Sequence, residues 1–162
     1  MMPKLAIAAI AVAILALGGG KLVGATRSGA SGHVVRVVDG DTVVVRTGSH
    51  DERVRYIGVD TPESVKPGTP VQCFAKAASA ANKRLVQGQE VRLVHDAEAR
   101  DRYGRTLAYV YRSSDGLFVN AELVRRGYAK PLTIPPNVAH APELRRLAAT
   151  ARRDGRGLWS RC

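Results

Sequence analysis

Two valine-rich runs, Val34 to Val38 and Thr42 to Arg46, flank Asp39-Gly40-Asp41. Asp-Gly between apolar runs is a hairpin signal. A second polar turn, Gly48-Ser49-His50-Asp51, leads into a third strand in which Arg53 and Arg55 alternate with Val54 and Tyr56. One edge of that strand is charged and the other can be buried. Pro62 holds Thr61 extended and ends the strand, so Asp60, the Thr61 carbonyl and Glu63 are expected at the end of a sheet. Glu63 to Val71 contains Pro67, Gly68 and Pro70 and reads as a loop of about nine residues, long enough to be functional.

The next signal is helical. Ala75 to Val86 places Ala78, Ala81, Leu85 and Val86 on one stripe, and Gly88 stops it. Glu90 to His95 turns Val91 and Leu93 inward as a fourth strand, and Thr106 to Tyr111 is a fifth. Asn120 is placed to cap a short helix from Ala121 to Arg126, ended by Gly127. Pro131, Pro135 and Pro136 exclude regular structure between residues 131 and 137. Pro142, then Leu144, Leu147, Ala148 and Ala151, describe a last amphipathic helix, after which Leu158 and Trp159 fold back. This grouping argues for an α+β domain, and five strands suit a small closed barrel of the oligonucleotide-binding type.

A chain of 162 residues holds one such domain. Its start is different material: Lys4, a 13-residue apolar run from Leu5 to Leu17, three glycines, and small residues at Val23-Gly24-Ala25. Residues 1–25 read as an export signal, 26–32 as a linker and 33–162 as the domain. The alternative is an anchor through residues 5–20, although the run is shorter than the ~20 residues of a membrane span. Cleavage after Ala25 would remove Lys4 and Lys21 from a formal charge of +11 and leave +9. A soluble exported domain of that sign favours polyanions: nucleic acid, anionic lipid or anionic cell wall. In an oxidising compartment the even pair Cys73 and Cys162 is expected to form a disulfide.

Candidate chemistry lies in the turns. Asp41 and Asp60 each end a strand, and in a small barrel such ends can meet. Two carboxylates and a carbonyl sharing a site repel unless a cation compensates, and calcium accepts such mixed oxygen ligands. Glu63 beside them could orient a water or take its proton for attack on phosphorus. Arg55 opens the acidic loop, and Arg105 follows Gly104 in a tight turn. Guanidinium groups meet the equatorial oxygens of a phosphodiester transition state with paired hydrogen bonds. His33, His50, His95 and His140 show no metal-ligand spacing and read as surface or turn residues. There is no glycine-rich phosphate loop and no serine nucleophile elbow.

Val38-Asp39-Gly40-Asp41-Thr42, Arg55 through Glu63, Asp101-Arg102-Tyr103-Gly104-Arg105 with Leu107-Ala108-Tyr109, and Val119-Asn120 with Leu123 to Gly127 and Ala129-Lys130 resemble the staphylococcal nuclease (thermonuclease) family. The resemblance spans roughly His33 to Trp159. It implies a five-stranded barrel with three helices and a secreted, monomeric, calcium-dependent nuclease cutting DNA and RNA to leave 3′-phosphates. Asp41, Asp60 and the Thr61 carbonyl would hold calcium, Glu63 would activate water, and Arg55 and Arg105 would stabilise the transition state. Tyr103 falls where the family contacts the terminal phosphate, with Arg102 in place of a neighbouring lysine. Leu132, Thr133, Ile134 and Pro135 stand where the best-known member has two tyrosines near its nucleotide pocket. Ala75-Lys76-Ala77-Ala78-Ser79 replaces a helix opening with Gly-Pro-Glu.

A nucleic-acid-binding barrel without catalysis would fit the charge equally. It has no need of Asp41, Asp60, Glu63, Arg55 and Arg105 together. A basic protein of the cell wall or a lipid surface explains the charge and leaves the acidic cluster unexplained.

Overall fold

The computed structural model describes residues 29–64, 67–68 and 70–162. The export segment read over residues 1–25 lies outside them. The valine runs form β1 (Ala30–Val37) and β2 (Thr42–Thr47), and the arginine-bearing strand is β3 (His50–Tyr56). With β5 (Glu90–Val94) and β6 (Thr106–Arg112) they close a barrel in the order β1-β2-β3-β6-β5, all neighbours antiparallel except β3 with β6. Alternation works as the pattern requires: Val34, Val43, Val45, Val54 and Val91 are wholly buried. Each buried side chain of that size contributes roughly 1.5 to 3 kcal/mol. β1 begins at Ala30 because residues 30–33 pair with β5, Ala30 opposite Leu93 and His33 opposite Glu90. Part of the segment read as linker is therefore barrel wall.

Three helices cover the barrel: α1 (Ala75–Val86), α2 (Val119–Arg125) and α3 (Ala141–Arg153), followed by a single closing turn, α4 (Leu158–Arg161). α1 buries Ala78, Ala81 and Val86, and α3 buries Leu144, Ala148 and Ala151. Leu158 is buried, its N–H donating to the Gly127 carbonyl at 2.9 Å, so the C-terminus does fold back. Cys73 and Cys162 are bonded to each other, with Cα atoms 5.9 Å apart across 89 residues of sequence.

Three local readings are corrected. Asn120 does not cap α2: it lies within the helix, fully buried, with Phe118 at the cap position. Its Oδ1 accepts the Val110 N–H at 2.9 Å and its Nδ2 donates to the Ile57 carbonyl at 2.8 Å. An amide satisfies a buried donor and a buried acceptor at once, which an apolar residue could not. The strand carrying Arg55 does not run on to Pro62. It stops at Tyr56, turns through Gly58 at φ 80°, and resumes as β4 (Val59–Asp60), which pairs with β7 (Lys130–Pro131). A side chain at Gly58 would be strained at that φ and would put its Cβ 2.5 Å from Leu144 Cδ1. His140 is a half-buried packing residue, its ring 4.5 Å from that of Tyr109 and 4.7 Å from that of Phe118.

Candidate active site

Strand register decides which polar residues share the barrel mouth. Arg55 stands opposite Thr42 on one side and Leu107 on the other. It therefore lies between the hairpin that carries Asp39 and Asp41 and the turn that precedes β6. The hairpin is brought against the acidic loop by Asp41. Its Oδ2 accepts both the N–H and the hydroxyl of Thr61 at 2.8 Å, and its Oδ1 accepts the Thr42 hydroxyl at 3.2 Å. Gly40 makes this approach possible, since a Cβ there would lie 2.6 Å from Thr61 Oγ1. From behind, α1 holds the same hairpin through Asn82, wholly buried, which accepts the Tyr56 hydroxyl at 3.0 Å and donates to the Asp39 carbonyl at 2.9 Å.

All six residues predicted for metal binding and catalysis line one cleft of about 230 Å³: Asp41, Asp60, Thr61, Glu63, Arg55 and Arg105. Asp39 lines it too. In the sequence Asp39 is marked only as a turn residue, and its one further signal is its position two residues before Asp41. A larger adjoining cleft, about 530 Å³, contains Arg102 and Tyr103 and shares Arg55 and Arg105 with the first. Leu132 and Ile134, from the stretch 132–135, line this second cleft. The two arginines are thus common walls.

Their supports differ. Arg55 is only 14% exposed. Its Nη1 donates to the carbonyls of Tyr56 and Val59 at 2.8 Å each, its Nη2 to Asp60 Oδ1 at 3.3 Å, and its Nε lies 3.2 Å from Asp41 Oδ1. The hydrogen bonds take three of its five N–H groups, the Nε–H faces Asp41 as an ion pair, and one Nη2–H is left over. Arg105 is held by Asp101, whose Oδ2 accepts its Nε–H at 2.7 Å. Oδ1 of the same Asp101 accepts the N–H of Arg105 at 3.0 Å and that of Tyr103 at 2.9 Å. Asp101 was part of the motif but had no assigned task. Tyr103 is 68% exposed, with the Arg102 and Arg105 guanidiniums 4.8 and 5.6 Å from its ring centre.

The acidic groups are under electrostatic pressure. Burial, and then the charge of Asp41, push the Asp39 carboxyl up to about 6. Burial also raises Asp60, where Asp41 and Glu63 push further and Arg55 and Lys130 pull back. Lys130 reaches this position because β7 pairs it with Asp60, a consequence of two residues of pairing that the proline-rich sequence concealed. Asp101 is the reverse case. Burial works to raise it, but the bonds from Arg105 and Tyr103 together prevail and hold it below the usual carboxylate range. Among the described residues no three acidic, histidine or cysteine side chains form a metal-ligand cluster. The predicted set is two carboxylates and a carbonyl. Hard oxygen donors, mutual repulsion and an open polar cleft are what a calcium ion needs, and the residues fit it.

A closed five-stranded barrel with a cleft lined by acidic residues and two arginines defines a barrel of the oligonucleotide-binding class. The family described as "Staphylococcal nuclease homologue" matches residues 53–161, and the chain belongs to that family. Over 128 residues it is 45% identical to the Thermonuclease of Staphylococcus intermedius, covering 79% of this chain and 75% of that protein. It is 41% identical to the Thermonuclease of Staphylococcus hyicus over 127 residues, 78% of this chain and 74% of the other. It is 38% identical to endonuclease YncB of Bacillus subtilis over 128 residues, 78% of this chain and 60% of the other.

Proposed function

We propose that this protein is an exported, calcium-dependent nuclease that hydrolyses phosphodiester bonds of DNA and RNA as a monomer and leaves 3′-phosphates. The observation that carries this reading is the convergence of Asp41, Asp60, Thr61, Glu63, Arg55 and Arg105 on one cleft. The names of the relatives, Thermonuclease and endonuclease, favour the same class of reaction.

Asp41, Asp60 and the Thr61 carbonyl would hold the calcium ion. When bound, the ion supplies positive charge against the carboxylates and the phosphoryl oxygens. Glu63 takes a proton from the water that attacks phosphorus. As the new P–O bond forms, the bond to the 5′-oxygen breaks, and the phosphate stays on the 3′ side. Negative charge grows on the equatorial oxygens during this step, and Arg105, with the remaining N–H of Arg55, donates to it. Tyr103, with Arg102 beside it in the adjoining cleft, contacts the terminal phosphate of the bound strand. The formal charge of +9 left after cleavage at Ala25 draws the polyanion in.

The test incubates the mature domain with single-stranded DNA in calcium and then in excess chelator. Calcium-dependent fragments ending in 3′-phosphate are expected. A folded protein that retards DNA without cutting it would make this chain a nucleic-acid-binding module.

A further inference from the structure

Gln72, Cys73 and Phe74 are consecutive residues, each tied to a different part of the molecule. Gln72 Oε1 accepts the Glu63 N–H at 2.8 Å, and the Gln72 N–H donates to the Glu63 carbonyl at 2.9 Å. One residue thereby holds the backbone of Glu63 on both sides. The Gln72 carbonyl in turn accepts the N–H of Ala75, the first residue of α1, at 3.1 Å. Cys73 is bonded to Cys162, just past α4. Phe74 is the one non-glycine residue with positive φ, 70°, among the described residues, and its ring stacks on that of Tyr128 with centroids 5.5 Å apart. A phenylalanine adopts that backbone only when its surroundings over-determine it.

Gln72 itself is exposed, and water competes for hydrogen bonds made at the surface. The bonds to Glu63 gain persistence from what fixes the next two residues: a covalent link on one and a ring stack on the other reduce the freedom that Gln72 must give up. We infer that Gln72 is a positioning residue for Glu63, and that the Cys73–Cys162 disulfide fixes Gln72, so that hydrolysis depends on the oxidation state of that bond. This rests on the reading of Glu63 as the group that accepts the water's proton. On reduction a dithiol passes two electrons and two protons to the cysteine pair and is itself oxidised to its disulfide. The chain then keeps its barrel residues and loses the tether behind the glutamate.

Steady-state cleavage of single-stranded DNA by the mature chain in calcium tests this. Gln72→Ala is expected to lower kcat roughly ten- to hundredfold, the scale of a misplaced catalytic group, with KM within about twofold. Gln72→Glu keeps an acceptor oxygen for the Glu63 N–H and should recover most of the loss. Combined with Glu63→Gln, Gln72→Ala should cost nothing further, because both changes act on one group. Wild-type kcat in Gln72→Ala would overturn the proposal. So would an equal loss in the wild-type and Glu63→Gln backgrounds, since that is the mark of a general structural defect. If Glu63→Gln alone leaves turnover intact, the reading of Glu63 fails and this inference falls with it, a result distinct from failure of the Gln72 variant. Dithiothreitol reduction, followed by thiol titration and circular dichroism at a temperature where the reduced chain stays folded, should lower kcat by a similar factor. It should leave Gln72→Ala unaffected. Unchanged kcat per folded, fully reduced molecule would remove the disulfide from the proposal.

Discussion

Arg55 and Arg105 border the same two clefts, yet the protein holds them in opposite ways. Arg55 is built into a barrel strand, mostly buried, and its contacts run to two backbone carbonyls and two carboxylates. Arg105 sits on a turn, and its own hydrogen bonds are local, all made with Asp101. On the Arg55 side carboxylates outnumber cations: Asp39 and Asp60 are both raised. On the Arg105 side one carboxylate meets enough donors to be lowered. The acidic half of the site is therefore electrostatically incomplete and suited to a bound cation, whereas the arginine turn is complete alone. Charge at an active site can serve the fold or the substrate, and here the two arginines divide those duties unequally.

The largest expected effect separates chemistry from both supports. Glu63→Gln should reduce turnover by about 10² to 10⁴, the range for a positioned general base, with circular dichroism and DNA affinity unchanged. Normal turnover would remove Glu63 from the mechanism. The arginine contrast comes next. In chelator, Arg55→Ala should cost about 3 kcal/mol in denaturant unfolding because it strands the buried Asp41 carboxylate. Arg105→Ala should cost less than about 1 kcal/mol, since Asp101 keeps its backbone donors. Equal losses would abolish the distinction. A third experiment tests Arg105 as a donor to substrate: Arg105→Lys, which retains the charge but loses the paired N–H groups, should lower kcat roughly a hundredfold at unchanged stability. Near-normal activity would reduce Arg105 to a surface cation.

The smallest effect concerns pH. A carboxyl raised from 3.8 to about 6 favours the folded state below pH 3.8 and loses that contribution as pH rises through about 6. In chelator, Asp39→Asn should match the wild type near pH 4 and exceed it by about 2 kcal/mol at pH 7. Asparagine keeps the Oδ1 that accepts the Asp41 N–H in the wild type at 3.0 Å, so the difference isolates the charge. Equal stability at both pH values would show that Asp39 is not under pressure.

Much of the site was legible because its residues follow local rules. Asp41 sits in an Asp-Gly turn between valine runs, Asp60 and Thr61 precede a proline, and Arg105 follows a glycine. What local rules leave out is who stands opposite whom. Asp101 carries no mark of its task until the turn closes and its two oxygens meet three N–H groups. Asn120 looks like a helix cap from its neighbours in sequence, and it becomes a buried clasp only once Val110 and Ile57 are beside it.

The sequence by itself determined the five barrel strands, the three main helices and the identity of the reactive groups, because periodicity and turn preference act over a few residues. Tertiary structure alone decided the parallel pairing of β3 with β6, which sets Arg55 beside the Arg105 turn, and the two-residue pairing that sets Lys130 opposite Asp60. It also decided the raised pKa values of Asp39 and Asp60, since burial and the proximity of like charges exist only after distant segments have met.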